Sequence, residues 1–107
     1  MNPTATRNDE IRKLICAGKP VEGANLNVSP RVAELGTLRP LLDKIGSLEE
    51  FDEELDLDND HSVGIVELDG VVFLFGFDYV DSKREELVEL KDVTDETYRR
   101  LTIRLTG

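Results

Sequence analysis

Two apolar segments joined by Asp69-Gly70 restrict the fold of this chain more than any other feature. Asp-Gly strongly favours a two-residue type I′ turn, which connects antiparallel strands. The flanking segments, residues 62–68 and 71–79, are rich in the β-branched and aromatic side chains that are typical of strands. The sequence therefore predicts a β-hairpin over residues 62–79, with Leu68 opposite Val71.

Both faces of this hairpin are predicted to be largely apolar. The first face carries an aromatic row with its neighbours, namely Val66, Leu68, Val71, Phe73, Phe75, Phe77 and Tyr79. The second face carries Val63, Ile65, Val72 and Leu74, together with Glu67 and Asp78. Apolar strand faces need cover. Helices can cover one face, and the other requires the remaining helix or a second molecule, so a homodimer is one expectation.

Helical signals fill the chain before the hairpin. A helix over about residues 8–17 is predicted with Asn8 as its N-cap, and a short edge strand at Ala24–Val28 follows. Further helices are predicted to begin at Ser29-Pro30, at Thr37 and at Ser47. The last of these starts matches the capping box, because Glu50 lies three residues after Ser47.

One more strand is predicted near the end of the sequence. Residues 80–90 mix charged and apolar side chains and are interpreted as either a short helix or a long loop. Residues 99–106 alternate, with Leu101, Ile103 and Leu105 inward, as in a half-buried strand. A chain of 107 residues forms one domain. The predicted fold is therefore a single α+β domain in which N-terminal helices pack on a three-stranded antiparallel β-meander.

Charge and composition limit the partners. The formal net charge is −10, which repels nucleic acid and anionic membranes and favours a basic protein partner. The single cysteine, Cys16, excludes an internal disulfide framework and is interpreted as a small buried hydrophobe. No signal-peptide pattern or long apolar run occurs, so a cytoplasmic location is expected. Phosphate-loop and dinucleotide motifs are absent, and no cofactor is expected.

The main candidate for binding is the acidic strip, residues 49–60, which contains no Lys or Arg. Its eight carboxylates belong to Glu49, Glu50, Asp52, Glu53, Glu54, Asp56, Asp58 and Asp60. Such a run is either a solvated surface or a binding site for a basic partner. Duplex DNA carries about one charge per 1.7 Å of axis, and carboxylates held at comparable density on a folded scaffold can imitate it.

Part of the strip is spaced like a calcium-binding loop. Asp56, Asp58 and Asp60 fall at positions one, three and five of an EF-hand loop, and Glu67 falls at position twelve. His61 stands at position six, where that loop requires Gly, and a strand rather than a helix is predicted to follow. These four carboxylates are the candidate metal ligands, against the alternative of a solvated acidic loop.

An enzymatic alternative would combine the Asn-Asp-His loop at residues 59–61 with Asp78 and Asp81 as general acid and base. Asp78 lies on an apolar strand face and needs a partner, which Arg99 or Arg100 of the last strand can supply. An ion pair that closes the sheet is the simpler interpretation of Asp78. No nucleophile motif accompanies these residues, so a non-enzymatic role is favoured.

Three motifs resemble those of a known family. They are Asn59-Asp60, Phe77-Asp78-Tyr79-Val80-Asp81 and Arg99-Arg100-Leu101-Thr102-Ile103-Arg104-Leu105. The second half of the chain thereby resembles the domain-of-unknown-function family numbered 3768, which shows an Asn-Asp-rich loop, a hairpin ending in Ile-Asp-Tyr-Tyr-Asp and a last strand reading Arg-Val-Leu-Thr-Ile-Met-Leu. That family's loop usually continues with Pro and a Glu-His-Asp run, of which only His61 is present here. The resemblance implies a small bacterial protein, often carried by plasmids and phages, without an established activity.

Two functional classes follow from these observations. The first is a non-enzymatic acidic inhibitor that occupies the nucleic-acid-binding surface of a host defence complex, in the manner of anti-CRISPR or antirestriction DNA mimics. The second is a small metal-binding or enzymatic module. The first class is favoured, because small size, strong negative charge and the implied mobile-element setting all suit it.

Overall fold

Helices occupy the first half of the chain and most of the strands the second. The computed structural model describes residues 2–81, 83 and 85–106. Its helices are α1 (Pro3–Cys16), α2 (Pro30–Glu34) and α3 (Leu38–Gly46), with a 3₁₀ turn at Leu90–Asp92. Its strands are β1 (Ala24–Val28), β2 (Val63–Leu68), β3 (Val71–Val80) and β4 (Tyr98–Leu105). The α+β class is therefore confirmed.

The sheet has four strands, in the order β1-β4-β3-β2. Strands β2, β3 and β4 form the predicted antiparallel meander. The prediction of a three-stranded antiparallel sheet is wrong in one respect, because β1 adds to β4 as a parallel edge strand, with Leu26 beside Leu101. Backbone pairing continues one residue past β1, where the Ser29 amide donates to the Ile103 carbonyl at 3.0 Å. The result is a mixed sheet.

The hairpin forms in the predicted register. Asp69 and Gly70 both have positive φ, 53° and 81°, as a type I′ turn requires. Leu68 lies opposite Val71 and Val66 opposite Phe73. The aromatic face packs against all three helices, and the shared core contains Ile11, Val32, Leu41, Ile45, Val66, Phe73, Phe75, Phe77, Leu101 and Ile103. Phe73, Phe75 and Phe77 of the aromatic row therefore belong to the core.

Helix α1 starts five residues earlier than predicted. The side chain of Asn2 accepts a hydrogen bond from the Thr4 amide at 2.8 Å, and Pro3 occupies the first helical turn. Asn before Pro is a strong helix start, because the Asn side chain caps the free amides and Pro needs no amide partner there. Asn8, the predicted N-cap, therefore lies inside the helix, and its side chain is buried.

The predicted helix at Ser47 does not form. Ser47 is the C-cap of α3, and residues 48–62 contain turns but neither helix nor strand. Like charges three and four residues apart oppose a helix through Glu49, Glu50 and Glu53. The Asp52 carboxylate instead accepts the Glu54 amide at 2.8 Å, which favours a local turn.

The described residues between 81 and 97 form an irregular segment that runs back along the sheet. It makes an isolated bridge between Leu87 and Val80, and Val80 is buried. Of the two interpretations of residues 80–90, the described part fits the long loop, while Ser82 and Arg84 lie outside the described residues. Across the described part of the chain, no helix has the length and apolar character needed to cross a bilayer.

Candidate functional site

The acidic strip is a surface loop that is anchored from within. Six of its carboxylates are exposed, and they belong to Glu49, Glu50, Asp52, Glu53, Glu54 and Asp58. The other two, Asp56 and Asp60, are only 6% and 1% exposed. The prediction that all eight carboxylates face a partner is therefore wrong for these two, which point into the protein and hold the loop.

Asp60 is the centre of a buried hydrogen-bond network. Its Oδ1 accepts the Ser62 hydroxyl at 2.6 Å and the Ser62 amide at 3.2 Å, and its Oδ2 accepts the Tyr79 hydroxyl at 2.7 Å. Burial alone would raise the pKa of Asp60, but the hydrogen bonds from Ser62 and Tyr79 outweigh it and lower the pKa. Asp60 is therefore held as a buried carboxylate, and it ties the end of the strip to β3.

The network continues to α1 and β4 through Asn8. The Asn8 amide nitrogen donates to the Tyr79 hydroxyl at 2.8 Å and to the Asp60 carbonyl at 2.9 Å. The Asn8 amide oxygen accepts Nε of Arg99 at 2.6 Å. Arg99 is fully buried, its guanidinium lies 5.3 Å from the Tyr79 ring centroid, and burial lowers its pKa. One polar chain thus links three separate elements to the loop.

Asp56 lies next to this network but accepts fewer hydrogen bonds than Asp60 does. Its Oδ2 accepts the His61 amide at 3.2 Å, and its Oδ1 has no hydrogen-bond partner among the described residues. Burial raises the pKa of Asp56, and the adjacent Asp60 carboxylate raises it further. Two carboxyl groups that share a buried site hold one proton between them most readily. As pH falls, Asp56 is therefore the carboxyl group of the pair that takes up a proton first, and Asp60 is the one that keeps its negative charge longer.

The other end of the strip is held by an aromatic stack. The Phe51 ring stacks on His61 with centroids 4.3 Å apart and meets Phe75 edge-on at 6.2 Å. The buried guanidinium of Arg12 lies 5.1 Å from the Phe51 centroid and donates to the Leu48 carbonyl at 2.9 Å. These contacts fix the backbone on both sides of the exposed carboxylates at residues 49 and 50.

His61 lies in the loop at residues 59–61 but is mostly shielded from solvent, since its side chain is only 18% exposed. Its Nδ1 lies 3.0 Å from both carboxylate oxygens of Asp9 on α1. Asp9 also accepts a hydrogen bond from Arg12 at 3.3 Å. The histidine therefore serves as a second link between the loop and α1, in addition to Asn8.

The structure does not assemble the calcium-like set. Asn59 and His61 adopt φ of 52° and 56°, so His61 provides the left-handed turn for which an EF-hand uses Gly. Asp56 and Asp60 meet inside the protein, whereas Asp58 is exposed on the loop and Glu67 lies exposed on β2. Within residues 2–81, 83 and 85–106, no three His, Cys, Asp or Glu side chains cluster as metal ligands do.

The enzymatic set is also kept apart. Asp78 is exposed on the sheet face opposite to that of Tyr79, so it does not face the loop at residues 59–61. Its cross-strand neighbour is Arg100, whereas Arg99 lies on the buried face. The Asp81 carboxylate accepts the amides of Lys83 and Glu85, as in a turn, rather than facing Asp78.

Sequence reasoning missed the residues that anchor the strip. They are Asn8, Asp9, Arg12, Tyr79 and Arg99. Two of them carried a readable signal: Arg99 shares the inward register of Leu101 and Ile103, and Tyr79 ends the buried aromatic row. A charged or hydroxyl-bearing side chain at an inward strand position requires polar partners, and these partners mark the network.

Comparison with known proteins gives a family but no activity. The family model described as a protein of unknown function (DUF3768) matches residues 28–107. No curated protein and no solved structure is significantly similar to this chain. The matched region contains the acidic strip, Tyr79 and Arg99, whereas α1 precedes it.

Proposed function

The chain belongs to the DUF3768 family of proteins of unknown function, and we propose that it is a non-enzymatic protein that binds a basic, nucleic-acid-binding surface of another protein. The observation that carries this proposal is the acidic strip with its two kinds of carboxylate. Six are exposed, while Asp56 and Asp60 are buried and fix the backbone that presents them. A loop that is already ordered loses less entropy on binding than a free acidic tail does.

Electrostatics favour a protein partner over a nucleic acid. The chain has a net charge of −10, and the strip contains no Lys or Arg to offset its carboxylates. Phosphate backbones repel such a surface, whereas the Lys- and Arg-lined grooves that bind them attract it. Leu57, which is 82% exposed within the strip, adds an apolar contact that a purely ionic surface would lack.

The narrower form of the proposal is inhibition by DNA mimicry of a host defence complex, of the anti-CRISPR or antirestriction type. Small size and strong negative charge support it, and so does the mobile-element setting that the family resemblance implies. An inhibitor of this kind requires no catalytic group. Its affinity should fall steeply with salt, because steering between opposite charges is screened over about 8 Å at physiological ionic strength.

The test is charge reversal with a matched control. The strip variant combines Glu50→Lys, Glu53→Lys and Asp58→Lys, all at exposed positions. Asp56 is left intact, since a buried lysine there would unfold the loop. The control variant combines Glu22→Lys, Glu34→Lys and Glu96→Lys, which are exposed outside the strip. Each triple change replaces three negative charges by three positive ones, so both variants have a net charge of −4 instead of −10.

The assay is capture from a nuclease-treated extract of the source organism on immobilised protein, with duplex DNA as competitor. We expect wild type and control to retain the same nucleic-acid-binding protein, duplex DNA to displace it, and the strip variant to retain at least tenfold less (about 1.4 kcal/mol). Equal capture by the strip variant would refute the role of the strip. Capture that duplex DNA does not displace would refute mimicry.

A further inference from the structure

In the part of the chain that the structure describes, one face of the sheet has no helices over it. The helices pack on the face that contains Phe73 and Phe75, and the opposite face presents Val63, Ile65, Val72 and Leu74. We call these four side chains the outer patch. They are contiguous, because Ile65 lies directly opposite Leu74 across the β2–β3 pair, and none of them is buried or belongs to the core cluster. The irregular segment at residues 81–97 reaches the end of this face at Val80.

A depression lies beside the outer patch, and two members of the patch, Val63 and Leu74, help to line it. Gly76, opposite Val63, has no side chain to fill the space between Leu74 and Asp78, and a depression of about 370 Å³ results. A β-carbon at Gly76 would meet only ordinary contacts, the nearest being the Ser62 carbonyl oxygen at 3.5 Å. The glycine is therefore not required by close packing within the chain, and the space above it can receive a side chain from outside.

Charge distinguishes this face from the rest of the molecule. Its charged residues are Glu67, Asp78, Arg100 and Arg104, whose formal charges sum to zero. The whole chain carries −10, so the remaining surface holds all of the net charge. Two copies of such a chain repel each other on most approaches. The outer face is where two copies can meet without that repulsion, and where arginines of one copy can face carboxylates of the other.

The available area is sufficient for a modest dimer. Four strands about 4.8 Å apart and about six residues long at 3.3 Å per residue give a face of roughly 19 by 20 Å, or about 400 Å² before side-chain relief. Two such faces give roughly 800 Å² in total, and side-chain relief brings the buried area toward about 1,000 Å², which is the lower limit for a specific interface. A homodimer of micromolar affinity is the expected result.

We propose that the outer face of the sheet is the interface of a homodimer with a second copy of this chain. Side chains of the outer patch on one copy fill the depression above Gly76 on the other. The acidic strip remains free, because its anchors, Asp60 and Tyr79, lie on the helix side of the sheet. The dimer would thus present two strips, and its existence does not depend on the function proposed for them.

The experiment is sedimentation velocity of the full chain over about 1–300 µM, a range that brackets a micromolar Kd. Wild type should shift with concentration toward twice the chain mass of 12.0 kDa. Leu74→Lys should remain monomeric with an unchanged circular dichroism spectrum, since Leu74 faces outward. The matched control, Leu57→Lys, makes the same chemical change on the acidic strip and should dimerise as wild type does.

A second pair of variants keeps the proposal testable if Leu74→Lys fails to fold. Arg104→Glu changes the formal charge of the outer face from zero to −2, and Arg31→Glu makes the same charge change on α2. We expect the first to raise the dimer Kd by about tenfold or more at low salt and the second to leave it unchanged. A wild-type monomer at every concentration would overturn the proposal, and so would loss of the dimer in Leu57→Lys or Arg31→Glu.

Discussion

The two buried carboxyl groups of the strip should respond in opposite directions to the same substitution. Asp60→Asn removes a carboxylate that accepts two hydroxyl hydrogen bonds, at 2.6 and 2.7 Å. Hydrogen bonds to a charged group contribute about 1.5–3 kcal/mol each, and an amide can replace only part of that. We expect the free energy of unfolding at pH 7 to fall by about 3 kcal/mol, which lowers Tm by about 10–20 °C in a domain of this size.

Asp56→Asn should be neutral or stabilising by up to about 1 kcal/mol at pH 7. The new amide keeps an oxygen for the His61 amide and gains a donor that can face Asp60. It also removes an ionisable group whose pKa is raised by burial, and therefore the cost of holding a charge there. Asp58→Asn is the control, since Asp58 is exposed, and its effect should stay within about 0.5 kcal/mol.

The pH dependence separates the two sites. A carboxyl group with a raised folded pKa destabilises the protein above that pKa, and the penalty disappears as pH falls through it toward the unfolded value of about 3.9. The stability advantage of Asp56→Asn should therefore shrink as pH falls through the raised folded pKa of Asp56 toward about 3.9. Because the folded pKa of Asp60 is lowered, its contribution is complete above about pH 3.9 and is lost only as pH falls through the folded pKa. The loss of stability in Asp60→Asn should persist down to about pH 4.

Urea unfolding followed by circular dichroism at a series of pH values from 7 to about 4 measures both effects, and an unchanged m-value confirms that the same transition is compared. The reasoning is refuted if Asp56→Asn destabilises at pH 7 as much as Asp60→Asn does. It also fails if the effects of the two variants have the same pH dependence.

Two further substitutions test the packing that supports the strip. Gly64→Ala should lower the free energy of unfolding by about 1–3 kcal/mol, because a β-carbon there would lie 2.4 Å from the Phe75 ring. Gly76→Ala has no close contact and should be tolerated. Thermal unfolding of both variants measures the difference. Phe51→Ala should lower the free energy of unfolding by about 2–3 kcal/mol and speed proteolysis within residues 49–60, whereas Leu57→Ala, at an 82% exposed position, should do neither. Equal cleavage rates in the last pair would contradict the role of the aromatic stack.

The regular elements could be predicted because local signals decide them. The Asp69-Gly70 turn determined the hairpin register, and the alternation of Leu101, Ile103 and Leu105 located the last strand. The short edge strand at Ala24–Val28 was also predicted. Parallel pairing of β1 with β4 could not be predicted in the same way, because residues 29–97 separate the two strands. The sequence contains no local signal for such a contact.

The strip was misjudged because charge alone does not say which carboxylates are solvated. Asp58 and Asp60 are identical in type and two residues apart, yet one is exposed and the other has an exposed fraction of 1%. The difference comes from partners far along the chain, since Tyr79 lies 19 residues away and Asn8 lies 52 residues away. Only the assembled fold brings these donors to Asp60. A capping-box match at Ser47 was overridden for a similar reason, because repulsion within the strip and tertiary anchoring of Phe51 outweigh a local cap.

Polar anchoring explains how a loop so rich in negative charge can be held in place. If apolar side chains alone anchored the loop, apolar residues would have to replace some of its carboxylates. Within the strip, only Phe51 and Leu55 are half-buried apolar anchors. Asp56 and Asp60 instead use the same chemical group that makes the strip acidic, turned inward toward hydroxyl and amide donors. Anchoring of this kind depends on every partner being present. A buried carboxylate without hydrogen-bond donors is unstable, and the loop would then move out into solvent. The six exposed carboxylates therefore depend for their positions on Tyr79, Asn8 and Arg99, and a substitution in that network should weaken partner binding even though none of these side chains can touch the partner.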